Sequence, residues 1–354
     1  MTQQNSSSFS INGRSIGPGH PAYIIAEMSA NHNHDYQQAV DLIVAAKDAG
    51  ADAVKLQTYT ADTLTIDCDN DYFKIKGTIW EGRNLYDLYG EAFTPWEWQP
   101  RLKGVADQLG IDLFSSPFDK SAVDFLESMN VPAYKIASFE NVDLPLLRHI
   151  AHTGKPIIMS TGMATLAEID EAVSTIRKSN RNKLALLKCT SAYPAPPEEM
   201  DLRSIPHLAE AFDVPAGLSD HTLGFAVPIA AVSLGACIIE KHFTISREIP
   251  GPDSEFSLEP IELKTLVESV RIAEKALGSV QYGTSDREAQ SKVLRRSLFV
   301  VEDVAAGELF TSTNVRSIRP GYGLHTRYQD QIMGRRASRY ISRGTPMDWD
   351  LLGG

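Results

Sequence analysis

The sequence predicts an α/β fold made of a (β/α)₈ TIM barrel followed by a small β-rich domain. Eight short apolar runs recur along the first 285 residues, and amphipathic helical segments lie between them. After about residue 283 the pattern changes to short β-branched runs broken by glycine and threonine. A doubly wound open sheet is the alternative, but the segment after the first run, EMSANHNHD, lacks its glycine-rich dinucleotide loop.

The eight apolar runs have the length and composition of short strands buried on both faces of a parallel sheet. They are AYIIAEM (22–28), AVKLQT (53–58), LFSSPF (113–118), AYKIAS (133–138), PIIMST (156–161), LALLKCTS (184–191), PAGLSDH (215–221) and CIIEKHF (237–243).

Helical periodicity separates the runs, most clearly at 35–51, 119–130, 165–179 and 260–278. Asp119 is a good N-cap, and Thr165 with Glu168 forms a capping-box pattern. We therefore predict a barrel domain at 1–281, a polar linker at 282–292 and a second domain at 293–354. Residues 60–93 show no regular period and are rich in Tyr, Trp and Asp, which suits a lid over a polar, sugar-sized ligand.

The composition of the 354 residues is that of a soluble globular protein, and the net charge of −11 argues against nucleic-acid binding. The charge is uneven, because residues 286–354 hold eleven Lys and Arg against eight Asp and Glu. Three cysteines without a close pair favour a reducing compartment. No signal peptide and no apolar stretch of membrane-spanning length is present, so we expect a cytoplasmic protein without a membrane partner.

Polar residues stand at the end of nearly every predicted strand, where (β/α)₈ barrels carry their active sites. Charges in apolar strands are costly unless paired, so this repeated pattern predicts a functional site. The candidates are Glu27, Asn31, Lys55, Gln57, Ser116, Lys135, Ser138, Glu140, Ser160, Thr161, Lys188, Thr190, Ser191, Tyr193, Asp220, His221, Glu240, Lys241, His242 and Asp253.

His221 and His242 end the seventh and eighth runs, which are neighbours in a barrel. Because adjacent strands lie about 4.8 Å apart, two imidazoles at these ends can share one metal ion and leave open coordination positions. The alternative is that both are ordinary hydrogen-bonded loop histidines.

Lys55 and Lys135 lie near strand ends, where two lysines can hold a phosphate or a carboxylate. A barrel lysine can also form a Schiff base, and buried pairing with Glu27 or Glu140 is a third interpretation. The segment STGMAT (160–165) adds a helix N-terminus that favours anions. Arg319 in SIRPGYGL would supply a third cation from the small domain of the same or a second subunit.

Taken together, eight segments resemble the sialic acid synthase family, in order and over nearly the whole chain. Within it, 78–98 and 251–260 look most like the pseudaminic acid synthases. The eight segments are IIAEMSANHNHD, AVKLQTY, YKIASFE, STGMA, KCTSAYPAP, GLSDHT, IIEKHF and SIRPGYGL.

The resemblance implies an enzyme that joins phosphoenolpyruvate to the open-chain aldehyde of an N-acetylated amino sugar, with cleavage of the C–O bond to phosphate. The acceptor implied for the pseudaminate subgroup is 2,4-diacetamido-2,4,6-trideoxy-L-altrose. A divalent metal is expected on His221 and His242, most often manganese, with magnesium or cobalt as alternatives. The small domain is similar to the antifreeze-like (SAF) domain of the family, and a domain-swapped homodimer is implied, in which Arg319 enters the partner's site.

Residue roles are implied in the same way. Glu27 matches the position that holds the sugar hydroxyls, and Arg319 the position that crosses between subunits. Ser191 stands where the N-acetylneuraminate enzymes usually have asparagine, so the acceptor is an open question. Phosphoenolpyruvate is expected on Lys55, Lys135, Ser138 and Ser160, with Glu140, Ser191, Tyr193, Glu240 and Asp253 at other family site positions. Ser116 is a substrate-binding candidate from its place at a strand end.

Three interpretations therefore stand beside one another: a pseudaminate-type synthase, another nonulosonate synthase that makes N-acetylneuraminate or legionaminate, and a non-catalytic sugar-binding barrel. A 6-deoxy acceptor carries a methyl group that an apolar patch would favour, and Trp80, Tyr72 and Phe73 of the 60–93 segment are candidates for that patch.

Overall fold

The computed structural model describes residues 8–77, 80–180 and 183–353 and forms two compact units, Met1–Gly278 and Ser279–Gly354. The division lies three residues before the predicted end of the barrel domain at 281. The first unit begins with an antiparallel hairpin of β1 (Phe9–Ile11) and β2 (Arg14–Ile16).

Eight parallel strands follow and close into a barrel, in which each strand pairs with the next and the last with the first. This confirms the predicted (β/α)₈ barrel, and each strand matches its predicted run to within two residues at either end. The strands are β3 (Tyr23–Glu27), β4 (Ala53–Thr58), β5 (Asp112–Pro117), β6 (Tyr134–Ile136), β7 (Ile157–Ser160), β8 (Leu184–Cys189), β9 (Ala216–Asp220) and β10 (Ile238–His242).

Helices cover the outside of the barrel, and the caps read from the sequence are present. Asp119 accepts hydrogen bonds from two backbone amides of the helix that it opens, and Thr165 and Glu168 form a capping box. The helices are α1 (Tyr36–Asp48), α2 (Ala61–Leu64), α3 (Leu85–Ala92), α4 (Gln99–Leu109), α5 (Lys120–Ser128), α6 (Leu144–His152), α7 (Leu166–Arg177), α8 (Ser204–Phe212), α9 (Ala226–Ser233) and α10 (Pro260–Leu277).

The segment 60–93 is more regular than its sequence pattern indicates, because it contains α2 and α3. Thr60 and Asn84 cap these helices with side-chain hydrogen bonds. Both helices are short, so their apolar residues do not repeat often enough to reveal a helical period in the sequence. Thr78 and Ile79 of this segment lie outside the described residues.

Charged groups close the end of the barrel opposite to the strand C-termini. Arg14 and Arg271 both form ion pairs with Asp52. Asp52 also accepts from the backbone amide of Ile24 at 2.8 Å, and both arginines donate to the carbonyl of Ala22. The hairpin and α10 are thereby tied to the start of β3, which leaves the other end of the barrel for the site.

The second unit has its own small hydrophobic core around Leu298, Phe310 and Val315. It contains α11 (Asp286–Ser291), an antiparallel pair of β11 (Ser297–Val300) and β12 (Val315–Ile318), and α12 (Gln329–Ile332). The predicted linker, 282–292, is thus partly helical. Within the described ranges, no helix combines the length and the apolar character needed to cross a membrane.

Candidate active site

Lys55 and Glu27 form a buried ion pair at the C-terminal end of the barrel. Nζ of Lys55, on β4, is 2.7 Å from Oε2 of Glu27, the last residue of β3, and donates to Oγ of Ser116 on β5 at 3.2 Å. Burial lowers the pKa of Lys55, but Glu240 and Glu27 raise it above its usual value. Burial raises the pKa of Glu27 to about 7 although Lys55 opposes the shift. The pairing with Glu27 weighed from the sequence is therefore present, inside the site.

Lys135 provides a second buried cation on β6. Its Nζ donates to Oγ of Ser160, the last residue of β7, at 2.7 Å, and lies 3.4 Å from Oε1 of Glu240 on β10. The same oxygen of Glu240 is 3.5 Å from Nζ of Lys55. Burial alone would raise the pKa of Glu240, but Lys135 and Lys55 hold it below its usual range. Lys135 is thus paired with Glu240, whereas the pairing alternative weighed from the sequence named Glu27 and Glu140.

The two histidines face each other across the ends of β9 and β10, with ring centroids 5.4 Å apart. Nδ1 of His221 contacts the carbonyl oxygen of Thr190 at 2.9 Å, so this nitrogen carries a proton. Burial and the neighbouring His221 hold the pKa of His242 well below its usual value. Nδ1 of His242 is buried and has no hydrogen-bond partner in the described part of the chain.

Cys189, at the end of β8, also contacts His221. Burial raises the pKa of its thiol, but a hydrogen bond with His221 and the charge of that ring lower it to about 7. The same contact raises the pKa of His221 against the effect of burial. His221 is therefore held from the β8 side by both Thr190 and Cys189.

A line of hydrogen bonds connects Asp253 with Glu27. Oγ of Ser29 donates to Asp253, and Nε2 of Gln57 donates at 3.0 Å to Oγ of Ser29 and to Oε1 of Glu27. Oδ2 of Asp253 is 3.8 Å from Nδ1 of His242. The orientation of the Glu27 carboxylate is thus coupled to the loop after β10.

Aromatic rings form one wall beside the histidines. The ring of Tyr193 lies 4.3 Å from that of His221, and the ring of Phe256 lies 4.9 Å from that of His242, between centroids. Trp80, from the 60–93 segment, packs against Tyr193 at 5.8 Å and donates to the carbonyl of Pro252 at 3.2 Å. The long segment therefore reaches loops after β8 and β10.

The loop after β7 is fixed against its neighbours by close backbone approach. The amide of Gly162 donates to Oγ of Ser138 at 3.1 Å. A Cβ at position 162 would lie 2.6 Å from that Oγ and closer still to Oγ of Ser191, so a larger residue would require both serine side chains to move. Nδ2 of Asn141 reaches the carbonyls of Ser160 and Gly162 at 3.4 Å.

Glu140 follows β6 and is the remaining carboxyl of the predicted set. Its Oε2 is buried and finds no hydrogen-bond partner among the described residues. Burial raises the pKa of Glu140 to about 7, although Lys135 opposes the shift. A carboxyl with this pKa can both give and accept a proton near neutral pH.

The histidine pair fits a divalent metal on one observation: Nδ1 of His242 is buried without a hydrogen-bond partner among the described residues, in a ring whose centroid lies 5.4 Å from that of His221. In the described ranges, no group of three or more His, Cys, Asp or Glu side chains is arranged to hold a metal ion. A metal here would be held by His221 and His242, with further positions left for water or substrate oxygens.

Contributors to the site that were not predicted include Ser29, Phe256, Cys189 and Asn141. Ser29 lies in the loop two residues after β3, and Phe256 lies in the loop after β10; only a search of whole loops would have found them. Arg319, in contrast, lies in the second unit just after β12 with an exposed side chain, so the structure of one chain does not test its predicted role.

The chain matches the NeuB family over residues 42–282 and the SAF domain over 295–353. It is 44% identical to a pseudaminic acid synthase of Helicobacter pylori over 93% of this chain and 97% of that protein. It is 40% identical to an N,N'-diacetyllegionaminic acid synthase of Legionella pneumophila over 96% and 97% of the two chains. The crystal structure of a sialic acid synthetase of Leptospira borgpetersenii in complex with citrate superposes with TM-score 0.72 at 32% identity, over 81% and 95%.

A TIM barrel with buried cations and paired histidines at its mouth, followed by a SAF domain, defines a sugar-acid synthase. The chain belongs to the NeuB family of such enzymes. Its similarity to pseudaminic acid synthases extends over most of its length, and this confirms the family resemblance read from the sequence.

Proposed function

We propose that this enzyme is a pseudaminic acid synthase that condenses phosphoenolpyruvate with 2,4-diacetamido-2,4,6-trideoxy-L-altrose. C3 of phosphoenolpyruvate forms a bond to the aldehyde carbon, water adds to C2, and the C2–O bond to phosphate breaks. The products are inorganic phosphate and a nine-carbon 2-keto acid.

The observation that carries the proposal is the pair of buried lysines beside the histidines. Lys55 and Lys135 both lie within 3.5 Å of one oxygen of Glu240. Phosphoenolpyruvate carries a carboxylate and a phosphate, and two buried ammonium groups bind a molecule with two anionic groups strongly. Ser116, Ser138 and Ser160 supply hydroxyl groups around them.

Glu27 supports binding of the acceptor. Its carboxylate is oriented by Lys55 and Gln57, and a carboxylate in this position can accept hydrogen bonds from sugar hydroxyls. A divalent ion on His221 and His242, manganese in our proposal, would polarise the aldehyde oxygen when bound. Glu140, with a pKa raised to about 7 by burial, is the group we assign to proton exchange with the attacking water.

The aromatic wall supports the choice of a 6-deoxy acceptor. Tyr193 and Trp80 present apolar surface beside the histidines, and a methyl group gains from such contact whereas a hydroxyl does not. The pseudaminic acid synthases of Helicobacter pylori and Campylobacter jejuni are 44% and 45% identical to this chain, against 40% for the legionaminic acid synthase of Legionella pneumophila.

A domain-swapped homodimer in the cytoplasm completes the proposal. The segments after β6 and β7 expose Phe139 (61%), Val142 (54%), Met163 (62%) and, at the start of α7, Leu166 (55%). An apolar patch of this kind is typical of a surface that another chain covers. The occupant that we propose is the SAF domain of a second copy, which would bring Arg319 to the phosphoenolpyruvate and sugar site.

Phosphate release from phosphoenolpyruvate in the presence of manganese tests the function. We expect release with the 6-deoxy acceptor, little with N-acetylmannosamine, and none after treatment with EDTA. His242→Ala should abolish release and weaken manganese binding, while His149→Ala, on the outer helix α6, should do neither. Release with N-acetylmannosamine in preference would overturn the acceptor, and release with neither sugar would leave a legionaminate-type acceptor or the non-catalytic barrel in its place.

A further inference from the structure

A buried ion pair lies directly behind the two histidines. Nζ of Lys241 is 2.7 Å from Oδ2 of Asp220, and the two side chains are 1% and 0% exposed. Asp220 immediately precedes His221, and Lys241 immediately precedes His242. Each charged residue is therefore one peptide unit away from a histidine of the site.

The register of the strands explains this arrangement. β9 and β10 pair in parallel from Leu218 and Ile239 onward, and the last aligned pair is Asp220 with Lys241. Side chains alternate between the two faces of a strand. Ser219 and Glu240 therefore meet inside the barrel, Asp220 and Lys241 meet on its outer face, and the following histidines return to the inside.

The ion pair also extends past the end of the ladder. The ammonium of Lys241 donates to the carbonyl of Thr222 as well as to Asp220. Asp220 accepts from the amide of Thr222 at 3.0 Å and from its hydroxyl at 3.1 Å. The residues on both sides of His221 are thus tied to the residue before His242.

Outside the strand ladder, a backbone hydrogen bond links each histidine segment to the neighbour on its other side. The amide of Ala195 donates to the carbonyl of His221 at 3.0 Å, which attaches it to the β8 side. The amide of Phe243 donates to the carbonyl of Glu27 at 2.8 Å, which attaches His242 to the β3 side. The spacing between the two rings depends on a link between β9 and β10, and the Lys241 cluster provides one at that level.

We propose that Lys241 and Asp220 are positioning residues that set the separation of His221 and His242 and thereby the affinity of the metal site. A buried ion pair is rarely better for stability than a well-packed apolar pair, so its placement behind the histidines has a structural purpose other than stability. This inference rests on the proposed metal site, but the spacing of the rings can be measured without metal.

The test uses the double variant Asp220→Asn/Lys241→Met. Both buried charges are removed together, and the side-chain oxygen of the introduced asparagine still accepts from the amide of Thr222, so the barrel should still fold. Loss of partners that orient metal ligands typically weakens binding by about 10- to 100-fold, and we expect a loss in this range for Mn²⁺ titrated alone. Tyr23→Phe is the matched control, because it removes a buried hydrogen bond to Asp112 at the opposite end of the barrel. It should lower the melting temperature and leave Mn²⁺ affinity unchanged.

A crystal structure of the double variant provides the second measurement. A separation of the ring centroids that departs from 5.4 Å, together with weakened Mn²⁺ binding, is the expected result. An unchanged separation, or unchanged Mn²⁺ affinity in a folded variant, would overturn the inference. If the native chain binds no Mn²⁺ but the rings move in the variant, the positioning role stands and the proposed metal site fails. Should the double variant not fold, Thr222→Val removes one bond to Asp220 and is subject to the same two criteria.

Discussion

Oε1 of Glu240 lies 3.4 Å from Nζ of Lys135 and 3.5 Å from Nζ of Lys55, so two buried ammonium groups share one carboxylate oxygen. The other oxygen, Oε2, has no hydrogen-bond partner among the residues that the structure describes. Glu240 therefore compensates the two cations before any anion is bound.

Glu240→Gln should destabilise the unliganded enzyme, by about 3 kcal/mol, because it leaves buried positive charge undercompensated. Inorganic phosphate binds to the folded state and should restore more stability to this variant than to the native enzyme. Urea denaturation with and without phosphate measures both effects. Glu91→Gln, which removes an exposed ion pair with Arg83, is the control and should cost less than about 1 kcal/mol. An equal response of both proteins to phosphate would contradict the shared role of Glu240.

Lys135→Met should lower kcat/KM for phosphoenolpyruvate by about 10- to 100-fold, the loss expected for one hydrogen bond to a charged group. Lys155→Met is the control, since Lys155 pairs with Glu127 before the start of β7. Burial lowers the pKa of Lys135, a property that Schiff-base lysines also have. Borohydride with pyruvate should nevertheless leave the protein mass unchanged, and a trapped adduct on Lys135 would show that an imine mechanism operates instead.

Glu140 should make the enzyme less stable as the pH rises from about 4.5 to about 7. Its folded-state pKa is raised from 4.5 to about 7 by burial, so the folded form keeps a proton that the unfolded form has lost over this range. Glu140→Gln removes this effect and should gain stability relative to the native enzyme between pH 5 and 8, by up to about 3 kcal/mol.

Denaturation at several pH values checks this prediction, and parallel pH profiles of the two proteins would refute it. Glu168→Gln is the control, because the pKa of Glu168 is shifted in the opposite direction and its effect on stability therefore has the opposite pH dependence. A hydrogen bond from the backbone of Thr165 lowers the pKa of Glu168. Its stabilising contribution is present at neutral pH and disappears as the pH falls below the usual value for glutamate.

Trp80→Ala should reduce the preference for a 6-deoxy acceptor over its 6-hydroxy counterpart by about tenfold, the value of one or two buried methylene groups. Competition between the two acceptors measures the ratio of kcat/KM. Tyr72→Ala is the control from the same segment, because Tyr72 is 91% exposed. A ratio unchanged by Trp80→Ala would remove Trp80 from acceptor recognition.

Arg319→Ala should lower activity without unfolding either unit. Mixed with inactive His242→Ala and allowed to exchange subunits, it should regain up to about a quarter of the native activity if Arg319 enters the partner's site, because a mixed dimer then has one complete site. Sedimentation of the mixture verifies the dimer. Activity that stays at the sum of the two separate variants would show that Arg319 acts within its own chain or not at all.

The sequence predicted the barrel because its signals are local. Each strand is a short apolar run and each clear helix has a cap such as Asp119 or Thr165, and parallel pairing then brings the strand ends to one rim. The helices α2 and α3 were missed because four and eight residues are too few to establish a period.

Long-range contacts were beyond the sequence for a different reason. Which carboxylate Lys135 pairs with depends on strand order around the closed barrel, and the structure identifies Glu240, a partner that was not predicted from the sequence. The hydrogen bond between Ser29 and Asp253 joins residues 224 positions apart, and no local pattern indicates it.

The 60–93 segment leaves the barrel after β4, and the chain returns to it at β5. β4 and β5 are paired along six residues, from Ala53 opposite Asp112 to Thr58 opposite Pro117. Its two anchor points are therefore fixed by the barrel, whatever lies between them. Cations and histidines come from strand ends, whereas Trp80 comes from this excursion. Under the proposed function, a change in this segment would alter contacts to the acceptor sugar and leave the lysines and histidines of the strand ends in place.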